Sequence, residues 1–276
     1  MEYKLIALDL DGTTARRNRI SNQNITAIKW AMAKRVKVII ATGRSIGALR
    51  KVAKKLGVIE KKMPIIAFNG GVIYDFAKEK ILQQTVFSNA ELINVFNMVN
   101  ECKVQLWAYS VDNEHLAYVN TKHSLMVKWM SFHTKRKRKL IHNPSTLQDR
   151  AYKFVVSGKK ENVLNFKTKI LVKYEFNIFD WSYLPNQSLN LEISPKGSDK
   201  KDALEYLAQI YNIQPSEVIA MGDGSNDYEM LKWAGVGIAM ENAKDHLKNI
   251  SDDTTAYYRR SGVAKAINKY FKKPEL

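Results

Sequence analysis

Short apolar runs are separated by amphipathic segments along the N-terminal part of the chain. The runs KLIAL, VKVIIA and PIIAF are apolar almost throughout, and each stops at a polar or turn-forming sequence. Continuous apolar runs of this length are typical of strands that are buried on both faces of a sheet. We therefore predict three buried strands in this part of the chain.

Two amphipathic segments lie between these runs. The first follows Ser21, a favourable N-cap residue, and carries Ile25 and Ile28 at helical spacing. The second follows Ser45 and keeps a helical pattern until Gly57, a residue typical of a helix end. We predict a helix in each segment. Strands that alternate with helices in this way indicate a parallel sheet covered on both faces.

The pattern changes after about residue 83. Strand-like runs now alternate between polar and apolar positions and are separated by longer polar segments, which is typical of a separate α+β unit. These runs are QLWAYS, LAYVN, YKFVVSG, NIFDWSYL and LNLEIS.

The first pattern returns after about residue 192. A helix is predicted over 199–211, followed by the strands EVIAM and GVGIAM. The chain is therefore predicted to form a Rossmann-like α/β core from residues 1–82 and 192–276. An α+β domain at 83–191 would interrupt that core.

The chain of 276 residues carries a formal net charge of +17. The predicted insertion holds 15 Lys and Arg against 8 Asp and Glu over 109 residues, and the remaining 167 residues hold 29 against 19. Because the two charge densities are nearly equal, we interpret the excess as a background bias of the proteome or as a mild attraction for anionic metabolites. A dedicated nucleic-acid surface is disfavoured.

The densest basic run is KRKRK at 135–139. We interpret it as a solvated face or loop, with attraction of anions as the second interpretation. An RNA site would interleave aromatic residues with the basic ones, and this run contains none.

No apolar run reaches eighteen residues, and the start MEYKLIALDLDG lacks the features of a secretory signal. We therefore expect a cytoplasmic protein with no membrane partner. Cys102 is the only cysteine, which excludes an internal disulfide and the cysteine spacing of zinc or iron–sulfur sites.

Residues suited to phosphate chemistry stand just after predicted strands or at the starts of helices. They are Asp9, Asp11, Thr42, Lys200, Asp223 and Asp227. A phosphoryl group is strongly anionic, so a carboxylate nucleophile can approach it only if a cation and positioned donors offset the repulsion. Carboxylate oxygens are also the ligands that Mg²⁺ prefers. We therefore expect Asp9 and Asp223 to lie within about 6 Å of each other.

Four motifs occur in an order that resembles the haloacid dehalogenase superfamily: DLDGTT at 9–14, TGR at 42–44, Lys200 before a helix, and GDGSND at 222–227. Three further segments resemble its Cof-type, sugar-phosphatase-like branch, namely NGG at 69–71, EISPKGSDKKDAL at 192–204 and AMENA at 239–243. The resemblance implies an α+β cap domain of the C2 type, inserted between the second and third motifs.

The resemblance also implies a role for each matching position. Asp9 would become a phosphoaspartate, while Asp11 would protonate the leaving oxygen and then activate water. Mg²⁺ would be held by the Asp9 carboxylate, the Asp11 backbone carbonyl and Asp223, with Asp227 in support. The phosphate-binding residues would be Leu10, Thr42, Gly43, Lys200 and Asn226.

Some positions differ from the residues that are usual in these motifs. Lys201 stands where glycine often follows the motif lysine, so Lys196 and Lys201 remain alternatives to Lys200. Asn69 and Arg44 are explained by turn chemistry and by a salt bridge as readily as by contact with substrate.

The resulting hypothesis is a Mg²⁺-dependent phosphatase that hydrolyses small phosphorylated metabolites, with a cap that excludes water and selects the leaving group. Two alternatives remain open. One is a phosphosugar mutase, which returns the phosphoryl group to sugar. The other is a catalytically inactive protein that binds a phosphometabolite or nucleic acid.

Overall fold

The structure, a computed structural model, describes residues 3–16, 19–180 and 188–272. The chain divides into two compact units. Unit 1 comprises Met1–Gln84 and Asp199–Leu276, and unit 2 comprises Thr85–Ser198. Unit 2 therefore begins two residues later and ends seven residues later than the insertion predicted at 83–191. The second shift arises because the last strand of unit 2 continues past residue 191.

The first segment of unit 1 alternates strands and helices before it ends in a hairpin. Its elements are β1 (Leu5–Asp9), α1 (Asn22–Ala33), β2 (Lys37–Ala41), α2 (Arg50–Leu56), β3 (Ile65–Ala67), β4 (Val72–Asp75) and β5 (Lys80–Gln84).

Unit 2 follows as a mixture of strands and helices. Its elements are α3 (Asn89–Glu101), β6 (Gln105–Ser110), β7 (Leu116–Val119), α4 (Leu125–Thr134), β8 (Lys137–Leu140), β9 (Ala151–Lys159), α5 (Lys160–Lys173), β10 (Asn177–Asp180) and β11 (Ser188–Ser194).

The chain then returns to unit 1. The elements of this second segment are α6 (Lys200–Ile210), β12 (Val218–Gly222), α7 (Tyr228–Trp233), β13 (Val236–Met240), α8 (Asp245–Lys248), β14 (Asp253–Thr255) and α9 (Gly262–Phe271).

Both segments of unit 1 contribute to one sheet. Among the described residues its strand order is β14-β13-β12-β1-β2-β3-β4-β5. The pairs from β14 to β3 are parallel, and only the β3–β4 and β4–β5 pairs are antiparallel. β1 lies between β12 and β2, so the two segments meet at the strand that carries Asp9. The predicted α/β core with a parallel sheet is confirmed.

Helices cover both faces of this sheet. Leu5 and Ala7 of β1 belong to a buried cluster with Leu204 and Leu207 of α6. Ile6 and Leu8 alternate with them, point to the opposite face and are fully buried. Because β1 is buried on both faces, it is apolar until the chain reaches Asp9.

Unit 2 is an α+β domain with its own core. Its described strands pair in the order β10-β11-β9-β6-β7-β8, antiparallel except for β7–β8. Phe96 of α3 and Phe166 of α5 pack with Phe154 and Val156 of β9 in a buried cluster. Helix α4 contacts β6.

Most predicted elements of the core are present, and two interpretations need correction. Ser21 caps α1 and accepts the Asn24 N–H, and Gly57 ends α2 with a φ of 81°. The helix expected directly after Ser45 is instead a 3₁₀ turn, and α2 begins only at Arg50. Gly47 lies within that turn and disfavours a continuous helix.

The second correction concerns KRKRK at 135–139. Its last three residues form most of the edge strand β8, and Arg136 is buried, so the segment is not a loop. Lys135, Lys137 and Lys139 are exposed, which agrees with the other interpretation, a solvated face. Residues 181–184 of the predicted strand NIFDWSYL lie outside the described residues. None of the described helices combines the length and apolar character needed to cross a membrane.

Candidate active site

The candidate site lies at one edge of the sheet of unit 1. Asp9, Thr42 and Asn69 are at or just past the ends of β1, β2 and β3, which are neighbouring parallel strands. Asp223 and Asn242 follow β12 and β13 on the other side of β1. Because the carboxyl ends of parallel strands meet at the same edge, five separate segments converge here.

Lys200 connects two of the acidic residues. Its side chain is fully buried, and Nζ donates to Asp9 Oδ1 at 2.7 Å and to Asp227 Oδ1 at 2.6 Å. By contrast, Lys196 pairs with Glu175 and Lys201 with Glu205, away from Asp9. The geometry therefore selects Lys200 from the three candidates for the motif lysine.

The start of α6 fixes the position of Lys200. Asp199 caps the helix, and its side chain accepts the Asp202 N–H at 2.7 Å. Gly70 lies against the same turn with a φ of 104°, and a Cβ at this glycine would stand only 1.9 Å from the Asp199 carbonyl oxygen. The turn after β3 thus packs directly on the backbone that precedes Lys200.

The charges at the site perturb one another strongly. Burial raises the pKa of the Asp9 carboxyl well above its ordinary value, Lys200 opposes this shift, and Asp227 and Asp223 add to it. Burial lowers the pKa of Lys200, but attraction to Asp227 and Asp9 outweighs this and raises the pKa above its ordinary value. An ammonium group at this point therefore stabilises the ionised form of the nucleophile candidate.

Asp223 is held by two side chains that the sequence motifs did not single out. Its Oδ1 accepts from Thr13 Oγ1 and its Oδ2 from Asn242 Nδ2, both at 2.9 Å. Gly12 lies beside it with a φ of 90°, and a Cβ there would approach Asp223 Oδ2 to 2.3 Å. Burial, followed by the charge of Asp227, raises the pKa of Asp223 to about 6.

Asp227 is fully buried and its two oxygens are already engaged. Oδ1 accepts from Lys200, and Oδ2 accepts the backbone N–H groups of Asp223 and Gly224 at 2.9 Å each. These bonds hold the loop after β12 and orient Lys200. Asp227 is therefore better placed to support the site than to bind a cation directly.

The three carboxylates form a group that fits a divalent cation. Asp9, Asp223 and Asp227 each offer an oxygen atom, and these atoms lie within 4.8 Å of one another. Asp9 and Asp223 are therefore closer than the separation of about 6 Å predicted from the sequence. Hard oxygen donors and few protein ligands match the requirements of Mg²⁺. Each Asp223 oxygen accepts one hydrogen bond and the residue is half-buried, whereas Asp227 is fully buried and accepts three, so Asp223 is the more accessible of the two.

Asp11 points to a different partner from the other acidic residues. Arg44 donates to its carboxylate from Nε at 2.6 Å and from Nη2 at 2.5 Å, and the Asp11 side chain is 46% exposed. A planar guanidinium that donates two parallel bonds fixes the orientation of the carboxylate. Of the two interpretations of Arg44, the structure supports the salt bridge, and the partner is the acid–base candidate itself.

Thr42, Gly43 and Asn226, which the resemblance assigns to phosphate binding, all lie next to Asn69. Thr42 is buried, and its hydroxyl oxygen accepts the Arg44 N–H at 3.3 Å, which leaves the hydroxyl proton available for donation. Asn226 Nδ2 donates to Asn69 Oδ1 at 2.9 Å. A Cβ on Gly43 would lie 2.6 Å from that same Asn69 oxygen, so residue 43 must stay small.

Leu10 can contribute only through its backbone. Its side chain is fully buried in the core, and its carbonyl accepts the N–H groups of Thr14 and Ala15. These bonds close the turn after β1. The Thr14 hydroxyl reinforces it by donating to the Asp9 carbonyl at 2.6 Å.

The structure adds Thr13 and Asn242 to the predicted set and places Asn69, left open in the sequence between turn chemistry and substrate contact, at the site. Asn69 is buried in the left-handed backbone region with a φ of 57°, and its N–H donates to the Thr42 carbonyl. Asn242 also donates to the Gly12 carbonyl, so it joins the two loops that hold Asp223. The signals were present in DLDGTT, NGG and AMENA, but a sequence does not show which side chains these loops direct inward.

Comparison with known proteins supports the resemblance found in the sequence. A model of the haloacid dehalogenase-like hydrolase family matches residues 6–267. A curated relative from Bacillus subtilis, 5-amino-6-(5-phospho-D-ribitylamino)uracil phosphatase YcsE, is 27% identical over 272 residues, covering 98% of this chain and 96% of the relative. Phosphatase YwpJ of the same organism is 27% identical over 285 residues, covering 95% and 97%.

A solved structure shows the same fold. A haloacid dehalogenase-like hydrolase from Bacteroides thetaiotaomicron superposes with a TM-score of 0.82 at 26% identity, covering 98% of this chain and 100% of that one. The similarity therefore extends through both units.

Proposed function

The chain belongs to the haloacid dehalogenase-like hydrolase family and its activity is that of a phosphatase; we propose that it hydrolyses small phosphomonoesters with Mg²⁺ and a nucleophilic Asp9. One observation carries this proposal. The buried Lys200 ammonium contacts Asp9 at 2.7 Å, and Asp9 and Asp223 offer oxygens within 4.8 Å of each other.

Asp9 attacks phosphorus in the first half of the reaction. A bond forms between a carboxylate oxygen of Asp9 and phosphorus, and the bond from phosphorus to the leaving oxygen breaks. Asp11 gives its proton to that oxygen, so the product leaves as an alcohol. Lys200 favours the ionised form of Asp9 against the effect of burial and stabilises charge on the transferring group.

Water completes the reaction. Asp11, now a carboxylate, takes a proton from water as the water oxygen attacks phosphorus, and the bond from Asp9 to phosphorus breaks. Inorganic phosphate leaves, and both carboxyl groups return to their starting states. Arg44 orients the ionised Asp11 carboxylate for the second step, and in the first step one of its two bonds opens so that the freed oxygen carries the proton that Asp11 donates.

Asp9 and Asp223 would hold Mg²⁺, with the Asp11 carbonyl as a further ligand and Asp227 in support. When bound, the cation supplies positive charge that offsets the charge of the phosphoryl group. The Thr42 hydroxyl, the backbone of Leu10 and Gly43, and the second Asn226 amide proton would bind phosphoryl oxygens.

The proposed substrates are small phosphorylated metabolites. The relative YcsE is named for a phosphorylated ribitylamino compound, which is of this class. We propose that unit 2, as an inserted cap, determines which leaving group is accepted. The fold is shared by enzymes with different substrates and does not select one of them.

Release of inorganic phosphate from a generic aryl phosphate tests the proposal. With Mg²⁺ present, the wild-type protein should release phosphate, and Asp9→Asn should reduce the rate by about 10³-fold or more because the nucleophile is lost. Equal thermal unfolding would show that the variant is folded. An Asp9→Asn protein that retains the wild-type rate would exclude this mechanism.

Product analysis separates the two alternatives. An isomerised sugar phosphate without free phosphate would show a mutase. Tight binding of a phosphometabolite or RNA, without turnover of any substrate in a panel of phosphorylated metabolites, would show a binding protein.

A further inference from the structure

The positive charge of unit 2 is concentrated in one segment. Residues 115–148 contain no Asp or Glu and contain seven basic residues, which are Lys122, Lys128, Lys135, Arg136, Lys137, Arg138 and Lys139. The rest of the insertion drawn from the sequence holds eight Lys and Arg against eight Asp and Glu. The density of net charge is thus nearly equal in the insertion and the core, but within the insertion the net positive charge belongs to this segment alone.

The fold gathers these cations around a recess. A cavity of about 420 Å³ is lined by Lys122, Ser131, Lys135, Arg136, Lys137 and Arg138. Lys122, Lys135 and Lys137 are exposed. Among the described residues, neither these three lysines nor Arg138 forms an ion pair with an acidic side chain. The recess therefore presents positive charge that acidic side chains do not neutralise.

An exposed apolar stripe lies on the helix beside this recess. Leu125, Trp129 and Phe132 are spaced by four and three residues along α4 and so share one side of the helix. Leu125 is 81% exposed, Trp129 44% and Phe132 80%. Met126, Val127 and Met130 are buried on the opposite side. Helix α4 is therefore apolar on two sides, and only one of them faces the core.

Ordinary structural roles do not account for both features. Exposed lysines on the edge strand β8 can serve to prevent pairing with another sheet edge. That role does not require three large apolar side chains on the adjacent helix. Surface exposure of apolar groups next to a cationic recess is typical of a binding surface.

We propose that this surface, formed by α4 and the segment Lys135–Lys139, binds the face of an anionic lipid membrane. Leu125, Trp129 and Phe132 would enter the boundary between headgroups and acyl chains, and the recess would hold anionic headgroups. Apolar residues with Trp and Phe on one side and flanking Lys and Arg are the composition of helices that lie in a membrane interface. The sequence hypothesis of no membrane partner rested on the absence of a spanning segment, which such binding does not need.

A membrane fits the surface better than a nucleic acid does. Base stacking would use aromatic rings, yet Leu125 is aliphatic and is as exposed as Phe132. Trp129 stacks on His133 with ring centroids 4.1 Å apart, so one face of its ring is already covered. The basic residues are compatible with both partners, but the apolar stripe favours lipid.

Sedimentation of the full-length protein with vesicles tests the proposal. The wild-type protein should bind vesicles that contain phosphatidylglycerol and should bind much less to vesicles of phosphatidylcholine alone, with binding weakened by salt. Each basic residue near an anionic surface contributes about fivefold to binding, so Lys135→Gln with Lys137→Gln should reduce it about 25-fold. Leu125→Ser with Phe132→Ser should reduce it by about tenfold or more.

Matched variants elsewhere in unit 2 serve as controls. Val172 on α5 is 85% exposed, and Lys160 and Lys173 are exposed on the same helix. Val172→Ser and the double variant Lys160→Gln with Lys173→Gln should bind as the wild type does. All of these changes are at exposed positions, so unfolding temperatures should stay within a few degrees of wild type.

Three results would overturn the proposal. The first is no vesicle binding by the wild-type protein, or equal losses in the surface and control variants. The second is salt-dependent binding to a single-stranded oligonucleotide without vesicle binding, which would assign the recess to nucleic acid. The third is a dimer in solution that Phe132→Ser dissociates, which would show that a second copy covers the stripe. Because the proposed hydrolysis is argued from residues of unit 1 alone, failure here would leave it intact.

Discussion

Arg44 holds the carboxylate of Asp11 through two nearly parallel hydrogen bonds, of 2.6 and 2.5 Å. The residue assigned to proton transfer is thus oriented by a guanidinium group from the next loop of the sheet. This arrangement separates Asp11 from the group formed by Asp9, Asp223 and Asp227. Acid–base chemistry and cation binding are therefore assigned to different carboxylates.

Replacement of Arg44 by lysine should weaken proton transfer more than binding. Lysine keeps the charge but cannot donate two bonds in one plane, so Asp11 loses its fixed orientation. We expect kcat to fall about tenfold with KM changed less. The measurement is steady-state hydrolysis of an aryl phosphate. Arg50→Lys is the control, since Arg50 forms an exposed pair with Glu79 and should leave kcat unchanged.

Loss of the Asn242 amide should weaken cation binding. Asn242→Ala removes the bond to Asp223 Oδ2, so this proposed ligand is held less firmly. Removing a group that orients a metal ligand typically costs about 10- to 100-fold in metal affinity, and the Mg²⁺ concentration for half-maximal activity should rise accordingly. Asn249→Ala, at an exposed position, is the control. An unchanged Mg²⁺ requirement in Asn242→Ala would argue against Asp223 as a ligand.

Gly43 and Asn69 should behave as a coupled pair. A methyl group at residue 43 would stand 2.6 Å from Asn69 Oδ1, so Gly43→Ala should displace Asn69 and its bond to Asn226. We expect kcat/KM to fall by about tenfold. In an Asn69→Ala background the Asn69 oxygen is absent, so Gly43→Ala should lower kcat/KM much less. Additive losses in the double variant would contradict this contact.

Removal of the Lys200 charge should destabilise the protein. Lys200→Met leaves the carboxylates of Asp9 and Asp227 buried without their cation. Breaking a buried pair in this way costs about 3–5 kcal/mol, to be measured by urea unfolding without Mg²⁺. Lys201→Met disrupts only partly exposed pairs and should change the free energy of unfolding by about 1 kcal/mol or less. Equal effects of the two variants would contradict the described burial of Lys200.

The effect of Mg²⁺ on stability should depend on pH. The pKa of Asp223 is raised to about 6, so below that pH the folded protein holds a proton on this carboxyl. A bound cation must displace that proton. The Mg²⁺-induced rise in Tm should therefore be largest above pH 6 and should shrink as the pH falls below it.

In the absence of Mg²⁺, the raised pKa of Asp223 makes the folded protein less stable as the pH rises. Because its pKa is higher in the folded state than its ordinary value of 3.8, its destabilising effect is full above about pH 6 and disappears as the pH falls below about 4. Thermal unfolding with and without Mg²⁺ across this range would measure both trends. A Mg²⁺ effect that is independent of pH would contradict a role for Asp223.

The fold and the main acidic residues were accessible from the sequence because local patterns carry them. The runs that became β1, β2 and β12 are buried on both faces, so their apolar character identifies them without knowledge of their neighbours. DLDGTT and GDGSND could be placed at strand ends for the same reason. Lys200 was harder, since three lysines lie close together, and only its burial between Asp9 and Asp227 distinguishes it.

The rest depended on contacts between distant parts of the chain. Asn242 and Asp223 are joined only after β12 and β13 pair, and Asn69 reaches Asn226 from the opposite segment of unit 1. The strand β8 was missed because its lysines and arginines are poor strand formers in isolation, and pairing with β7 stabilises it.

The close approach of Gly70 to Asp199 joins the two halves of unit 1 beside the site. The hydrogen bonds described above that position Asp9, Asp223 and Lys200 are made by residues of these two halves. If unit 2 acts as the proposed cap, the proposed hydrolytic machinery can be inherited unchanged while the inserted domain, as a replaceable recognition module, diverges or is exchanged.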